Sequence, residues 1–74
     1  MDDLGRFLEN NSFYKLGHNV YDSAHCCVTI WEDYIAILDH NGSGTIYSND
    51  LNIYWLIGVL TYNGWMRKDY NQNG

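Results

Sequence analysis

The sequence predicts a small α+β domain with a short N-terminal helix, an antiparallel meander of three to four strands and one long apolar helix packed on the sheet. Three observations support this class. Apolar residues recur at helical spacing across residues 50–65, β-branched and aromatic residues dominate residues 24–31 and 34–38, and residues 39–44 are rich in turn formers. The chain has 74 residues, which is the length of a single domain, 1–74.

The N-terminal part is expected to form a short helix followed by an irregular strand. Residues 2–11 place Leu4, Phe7 and Leu8 on one helical stripe, with two Asp residues near the positive end of the helix dipole. Residues 13–22 contain apolar positions that a Gly and an Asn interrupt. This second segment therefore predicts an irregular or edge strand.

The central strands are predicted from their alternation. One face of residues 24–31 carries Cys26, Val28 and Ile30, and the other carries Cys27, Thr29 and Trp31. Residues 34–38 follow after a two-residue polar break, so the two runs form either a tight hairpin or one long bent strand. An antiparallel hairpin turning at residues 41–42 is expected to lead into a further strand at residues 45–47.

The long helix is the element around which the chain is organised. Residues 50–65 are apolar on nearly every face, so we expect the rest of the domain to cover one side and a partner to cover another. Three residues can cap its N-terminus: Ser48, Asn49 and Asp50. Gly64 is predicted to end the helix, with the next two residues folding back onto it. Residues 67–74 are predicted to form a polar, frayed tail.

The charge balance argues against some classes of partner, although acidic charge that serves only solubility is an alternative. The formal net charge is -5 at pH 7, from nine acidic and four basic residues. Such a chain repels phosphate, which argues against direct binding of nucleic acid or of an anionic membrane surface and favours a basic partner. No secretory leader or membrane span is predicted, and two cysteines without a disulfide framework fit a reducing compartment. The expected location is the cytoplasm of a host cell.

A calcium loop is one alternative interpretation of residues 39–50. The segment resembles one calcium-binding half of a dockerin or an EF-hand, with Gly at the turn position and an apolar residue at the eighth. The resemblance implies a small interaction module with these candidate ligands: Asp39, Asn41, Ser43, Thr45 and Asp50. A hairpin turn followed by a helix cap requires the same residue types for backbone reasons, and our primary expectation is no metal.

No motif in the chain indicates catalysis. Glu32 and Asp33 are adjacent in a turn, which would neither desolvate the two carboxyls nor separate their pKa values. The cysteine and histidine residues show neither the paired spacing of a zinc site nor evidence of a nucleophile–base pair. We therefore predict a protein that is not an enzyme and has no cofactor.

The remaining signal is a candidate surface for binding a partner protein. Acidic residues fall in predicted turns or at strand ends, and aromatic residues are interleaved with them. Carboxylates can occupy places that phosphates fill in a basic groove, while aromatic side chains anchor the contact. The predicted partner-binding residues are Asp22, Glu32, Asp33, Tyr34, Asp39, Tyr47 and Asp50. The alternative is that the acidic residues are scattered and the aromatic residues belong to the core.

The predicted layout, together with the ending Asn63-Gly64-Trp65 of the long helix, resembles the small acidic anti-CRISPR proteins of phages. The resemblance implies a stoichiometric inhibitor that mimics DNA and blocks the nucleic-acid-binding groove of a CRISPR effector complex. A further alternative comes from the apolar helix, whose surface would serve as the interface of a homodimeric regulatory protein.

Overall fold

The computed structural model describes residues 2–66 and begins with helix α1, Asp2–Glu9. Leu4, Phe7 and Leu8 are buried at the three- and four-residue spacing of one helical stripe. The helix ends at Glu9, two residues before the predicted end, and the chain takes a left-handed conformation at Ser12, where φ is +73°. The amide of Phe13 then donates to the carbonyl of Leu8 at 3.0 Å, which turns the chain towards the sheet.

Five antiparallel strands follow in sequential order within residues 2–66, so the three to four strands predicted are too few. Their bounds are β1 Tyr14–Lys15, β2 Val20–Asp22, β3 Cys26–Ile30, β4 Ile35–Asp39 and β5 Thr45–Ser48. The additional strand arises in residues 13–22, which were predicted as one irregular strand. This segment folds back on itself at residues 17–19, where the amide of Leu16 donates to the carbonyl of Val20 at 2.9 Å.

The predicted alternation of the central strands is confirmed. Cys26, Val28 and Ile30 are buried on β3, and Ile35 and Ile37 are buried opposite them on β4. The neighbouring cysteines therefore point to opposite faces of the sheet and carry free thiols.

Of the two alternatives for residues 24–38, the structure has the tight hairpin, and the hairpin predicted at residues 41–42 is also present. The amide of Trp31 donates to the carbonyl of Tyr34 at 2.8 Å, which closes a tight turn at residues 32–33. The amide of Asp39 donates to the carbonyl of Gly44 at 3.1 Å and closes the second turn. Gly42 and Gly44 have φ values of +87° and +122°, a region in which other residues are strained.

Helix α2 spans Ile53–Tyr62, so the prediction of residues 50–65 was too long. Its N-cap is Asn52, whose side-chain oxygen accepts the Tyr54 amide at 2.7 Å, rather than any of the three caps predicted. Gly64, with φ +74°, ends the helix as predicted. The amide of Trp65 reaches back to the carbonyl of Leu60 at 2.8 Å, which completes a Schellman motif. The predicted tail, residues 67–74, lies outside the described residues.

One hydrophobic core joins both helices to the same face of the sheet. It comprises Leu4, Phe7, Leu8, Phe13, Tyr21, Cys26, Val28, Ile30, Ile35, Ile37, Leu56, Leu60 and Met66. Helix α2 contributes Leu56 and Leu60, whereas Tyr54 and Tyr62 are 78% and 90% exposed. The helix is therefore covered on one side by its own domain. Neither helix within residues 2–66 has the length and apolar character needed to cross a membrane.

Candidate protein-binding surface

The sheet has an outer face that the helices do not cover. Because α1 and α2 both pack against the inward side chains, the alternate side chains of every strand point away from the core. Among these outward side chains, Leu38 is 49% exposed and Tyr47 is 67% exposed. An antiparallel sheet with a solvated face normally carries polar residues there, so the large apolar residues on this face make it a candidate contact surface.

Three aromatic side chains form a continuous row on this outer face, which we call the aromatic strip: Trp31, Tyr34 and Tyr47. The rings of Trp31 and Tyr34 stack with centroids 6.0 Å apart, and those of Tyr34 and Tyr47 are tilted with centroids 6.2 Å apart. The strip crosses β4 from the β3 side to β5, because Tyr47 pairs with Ala36 on β4. Mutual packing restricts the ring orientations, so binding of a partner at these rings would cost less conformational entropy.

Acidic side chains lie at the end of the sheet where the strip begins. Glu32 and Asp33 form the exposed turn between Trp31 and Tyr34. Asp50 follows β5 at the same end, because Ser48 pairs with Ile35, the first residue of β4. Its carboxylate accepts the amide of Asn52 at 3.1 Å and is exposed to solvent.

The other two predicted acidic residues lie at the opposite end of the strands. Asp22 is on the outer face and contacts His40, with 2.6 Å between its Oδ1 and the histidine Nε2. Asp39 is on the inward face and 9% exposed. From the first to the last residue of β4 the strand rises about 14 Å at about 3.4 Å per residue. The register therefore places Glu32, Asp33, Tyr34, Tyr47 and Asp50 towards one end of the central strands. Asp22 and Asp39 lie at the other end.

Asp39 serves the turn that follows β4. Its carboxylate accepts the amide of Asn41 at 2.9 Å. This hydrogen bond, together with one from the hydroxyl of Ser43, holds the pKa of Asp39 below its ordinary value. These hydrogen bonds favour a role for Asp39 in the turn over a role in partner binding.

Comparison with known protein families, with curated proteins and with solved structures gives no significant match. Function is therefore inferred from the residues and their geometry. The distribution of charge supplies one further observation. Residues 16–66 contain no Lys or Arg. Of the four basic residues of the chain, Arg6 and Lys15 lie on α1 and β1, and the other two lie outside the described residues. Among the described residues, the half of the sheet that carries the aromatic strip therefore has acidic side chains and no Lys or Arg.

The geometry of residues 39–50 favours a hairpin turn over the calcium interpretation. The segment is a β-hairpin and its second strand, and Asp39 and Asp50 lie at opposite ends of β5. An ion held by both would have to span a distance several times the 2.3–2.6 Å of a calcium–oxygen bond. Asn41, Ser43 and Thr45 remain near Asp39, but no group of three metal-ligating acids, histidines or cysteines occurs within residues 2–66.

The two thiols are poorly suited to nucleophilic chemistry. Burial raises the pKa of Cys26 to about 11. Burial also raises the pKa of Cys27, and the nearby carboxylate of Asp22 adds to the shift. Because the thiolate is the reactive form, both residues are expected to react slowly at neutral pH.

The sequence left open whether Trp31 lies inside or outside the domain, and Trp31 was not among the predicted partner-binding residues. Alternation places it on the same face as Cys27 and Thr29, but the pattern does not say which face the helices cover. The tight turn at residues 32–33 was the available signal. A hairpin pairs Trp31 with Tyr34 and so places both rings on one face.

Proposed function

We propose that this chain is a non-enzymatic protein ligand that inserts the aromatic strip and its flanking acids into a basic groove. The observation that carries the proposal is the joining of Trp31, Tyr34 and Tyr47 to the Glu32–Asp33 turn on an uncovered sheet face. The aromatic rings supply anchoring area, and the carboxylates supply charge complementary to Lys and Arg.

A groove that normally holds nucleic acid is the partner class that fits this surface. Such a groove presents Lys and Arg for phosphates and planar surfaces for bases, and this face offers carboxylates and packed aromatic rings that could contact them. We propose a phage-derived, anti-CRISPR-like inhibitor that acts in the host cytoplasm by occupying the DNA-binding groove of a CRISPR effector complex. Occupation of the groove requires one protein per binding site and no catalysis.

A competition assay tests this proposal. A panel of guide-loaded CRISPR effector nucleases is titrated with the protein, and binding of labelled target duplex is measured by mobility shift at rising salt. We expect displacement of the duplex from at least one effector, with an affinity that falls steeply as salt increases. Absence of displacement across the panel at micromolar protein would overturn the choice of effector as partner.

A matched pair of charge reversals locates the surface. Replacing Glu32 and Asp33 with Lys should weaken competition by at least about tenfold, or about 1.4 kcal/mol. Replacing Asp3 and Glu9 with Lys makes the same change in net charge on α1 and should leave competition within about twofold. Equal losses in the two variants would mean that net charge, and not this surface, determines binding.

The helix-mediated homodimer remains a second candidate because Tyr54 and Tyr62 are exposed on α2. Sedimentation equilibrium distinguishes the two functions. The dimer would be favoured by a measured mass of twice 8.6 kDa. The double variant Tyr54→Ala, Tyr62→Ala should then return the mass to that of the monomer.

A further inference from the structure

The two edges of the sheet are protected to different degrees. Strand β1 is two residues long and ends in Lys15, and both short length and a lysine discourage pairing with another chain. Strand β5 is four residues long, Thr45–Ser48, with the sequence TIYS. Charged residues and proline usually protect an exposed edge from pairing, and β5 contains neither.

Backbone groups of β5 point outward along this edge. The bond from the Asp39 amide to the Gly44 carbonyl identifies these residues as a hydrogen-bonded pair. Pairs alternate along an antiparallel ladder, so Ile46 and Ser48 bond to β4, while the amides and carbonyls of Thr45 and Tyr47 face away from it. Within residues 2–66, no backbone bond from outside the sheet reaches Thr45 or Tyr47.

An apolar groove lies beside the same edge on the inward face. Ile46 forms its strand side, and the helix side is formed by Tyr54, Trp55, Gly58 and Val59 of α2. Gly58 leaves the groove open, because a side-chain carbon at this position would meet nothing within 4 Å. A strand added to β5 would direct every second side chain into this groove, about 6.8 Å apart.

We propose that β5 accepts an extended segment of a partner protein as a sixth strand of the sheet. Backbone bonds to Thr45 and Tyr47 would supply affinity, and the groove would select apolar side chains at alternate positions. The acidic charge of residues 16–66 favours a partner segment that is flanked by Lys or Arg. The same charge disfavours a second copy of this chain as the source of the added strand. This edge site does not depend on the function proposed above for the outer face.

A synthetic peptide in which three valines alternate with threonines between paired lysines tests this site. The full chain is labelled with 15N, and amide exchange is followed by NMR with and without peptide. At a peptide concentration ten times the Kd, the amides of Thr45 and Tyr47 should exchange about tenfold more slowly. A peptide with proline at the central valine should not bind, and one with glutamates in place of lysines should bind at least about tenfold more weakly.

Two variants separate the edge from the groove. Thr45→Pro removes an outward amide at the first residue of the strand, where proline is tolerated, and should weaken peptide binding at least about tenfold. Gly58→Phe fills the groove and leaves the edge amides intact. This variant should also weaken peptide binding at least about tenfold.

The outcomes distinguish the edge site from its alternatives. Binding unaffected by both variants, protection elsewhere on the chain, or no binding at millimolar peptide would overturn the proposal. A doubled mass with protection of Thr45 and Tyr47 in the absence of peptide would identify a second copy as the occupant and also overturn it. Because Thr45→Pro keeps the aromatic strip and the turn at residues 32–33, it should leave competition with duplex DNA unchanged. The two proposals can therefore fail separately.

Discussion

The substitution Leu60→Ala should remove about half of the stability of the domain. Leu60 is fully buried where α2 meets the core of the sheet. Truncation of a buried leucine costs about 2–5 kcal/mol through lost burial and the remaining cavity. At about 0.05–0.15 kcal/mol per residue, a domain of 74 residues has a free energy of unfolding of about 4–11 kcal/mol.

Urea denaturation followed by circular dichroism measures this loss. With an m-value of about 1 kcal/mol per molar urea, a loss of about 3 kcal/mol moves the midpoint by about 3 M. Tyr62→Ala is the matched control, because Tyr62 lies on the same helix and is 90% exposed. We expect the control to change stability by about 0.5 kcal/mol or less. Similar losses in both variants would refute the one-sided packing of α2.

Three further predictions concern backbone geometry, protonation and metal. In thermal denaturation, Gly64→Ala should destabilise the protein by about 1 kcal/mol, because Gly64 has a φ of +74°. Gly58→Ala should stabilise it by about 0.5–1 kcal/mol, because Gly58 lies inside the helix. The reverse order would contradict the assigned ends of α2. The pKa of Cys26 is raised to about 11, so the neutral thiol contributes to the free energy of unfolding below pH 9, and this contribution should be lost between pH 9 and 11. Chemical denaturation at each pH measures the loss. The same loss in a Cys26→Val variant would exclude the thiol as its cause. Neither millimolar calcium nor a chelator should shift Tm, whereas a calcium-dependent increase of several degrees would restore the ion-binding interpretation of residues 39–50.

The sequence determined the central strands well because their signal is local. Alternation of apolar residues has a period of two, and a shift of one residue in register would expose Val28 and Ile37 together. The ends of helix α2 were harder to predict from the sequence. Asp50 and Asn52 are both suitable caps, and only the folded backbone places the Asn52 oxygen against the Tyr54 amide.

The candidate site was predictable in part. Turn chemistry identified Glu32 and Asp33 as exposed, since two acidic residues between apolar runs rarely lie in a core. Whether the rings of Trp31 and Tyr47 lie inside or outside depends on which face the two helices cover, and that choice is made by contacts distant in sequence. Asp39 misleads in the opposite direction, because it follows the inward residues Ile35 and Ile37 in phase and lies on their side of the sheet.

Hydrogen exchange of the complex tests the central claim most directly. The partner is the effector identified in the competition assay, and exchange is followed by mass spectrometry of peptides from the free and bound protein. Docking on the aromatic strip predicts slower exchange in peptides covering residues 30–36 and 45–50, with α1 unchanged. Protection confined to α1 or β1, with residues 30–36 exchanging as in the free protein, would contradict the assignment of this surface.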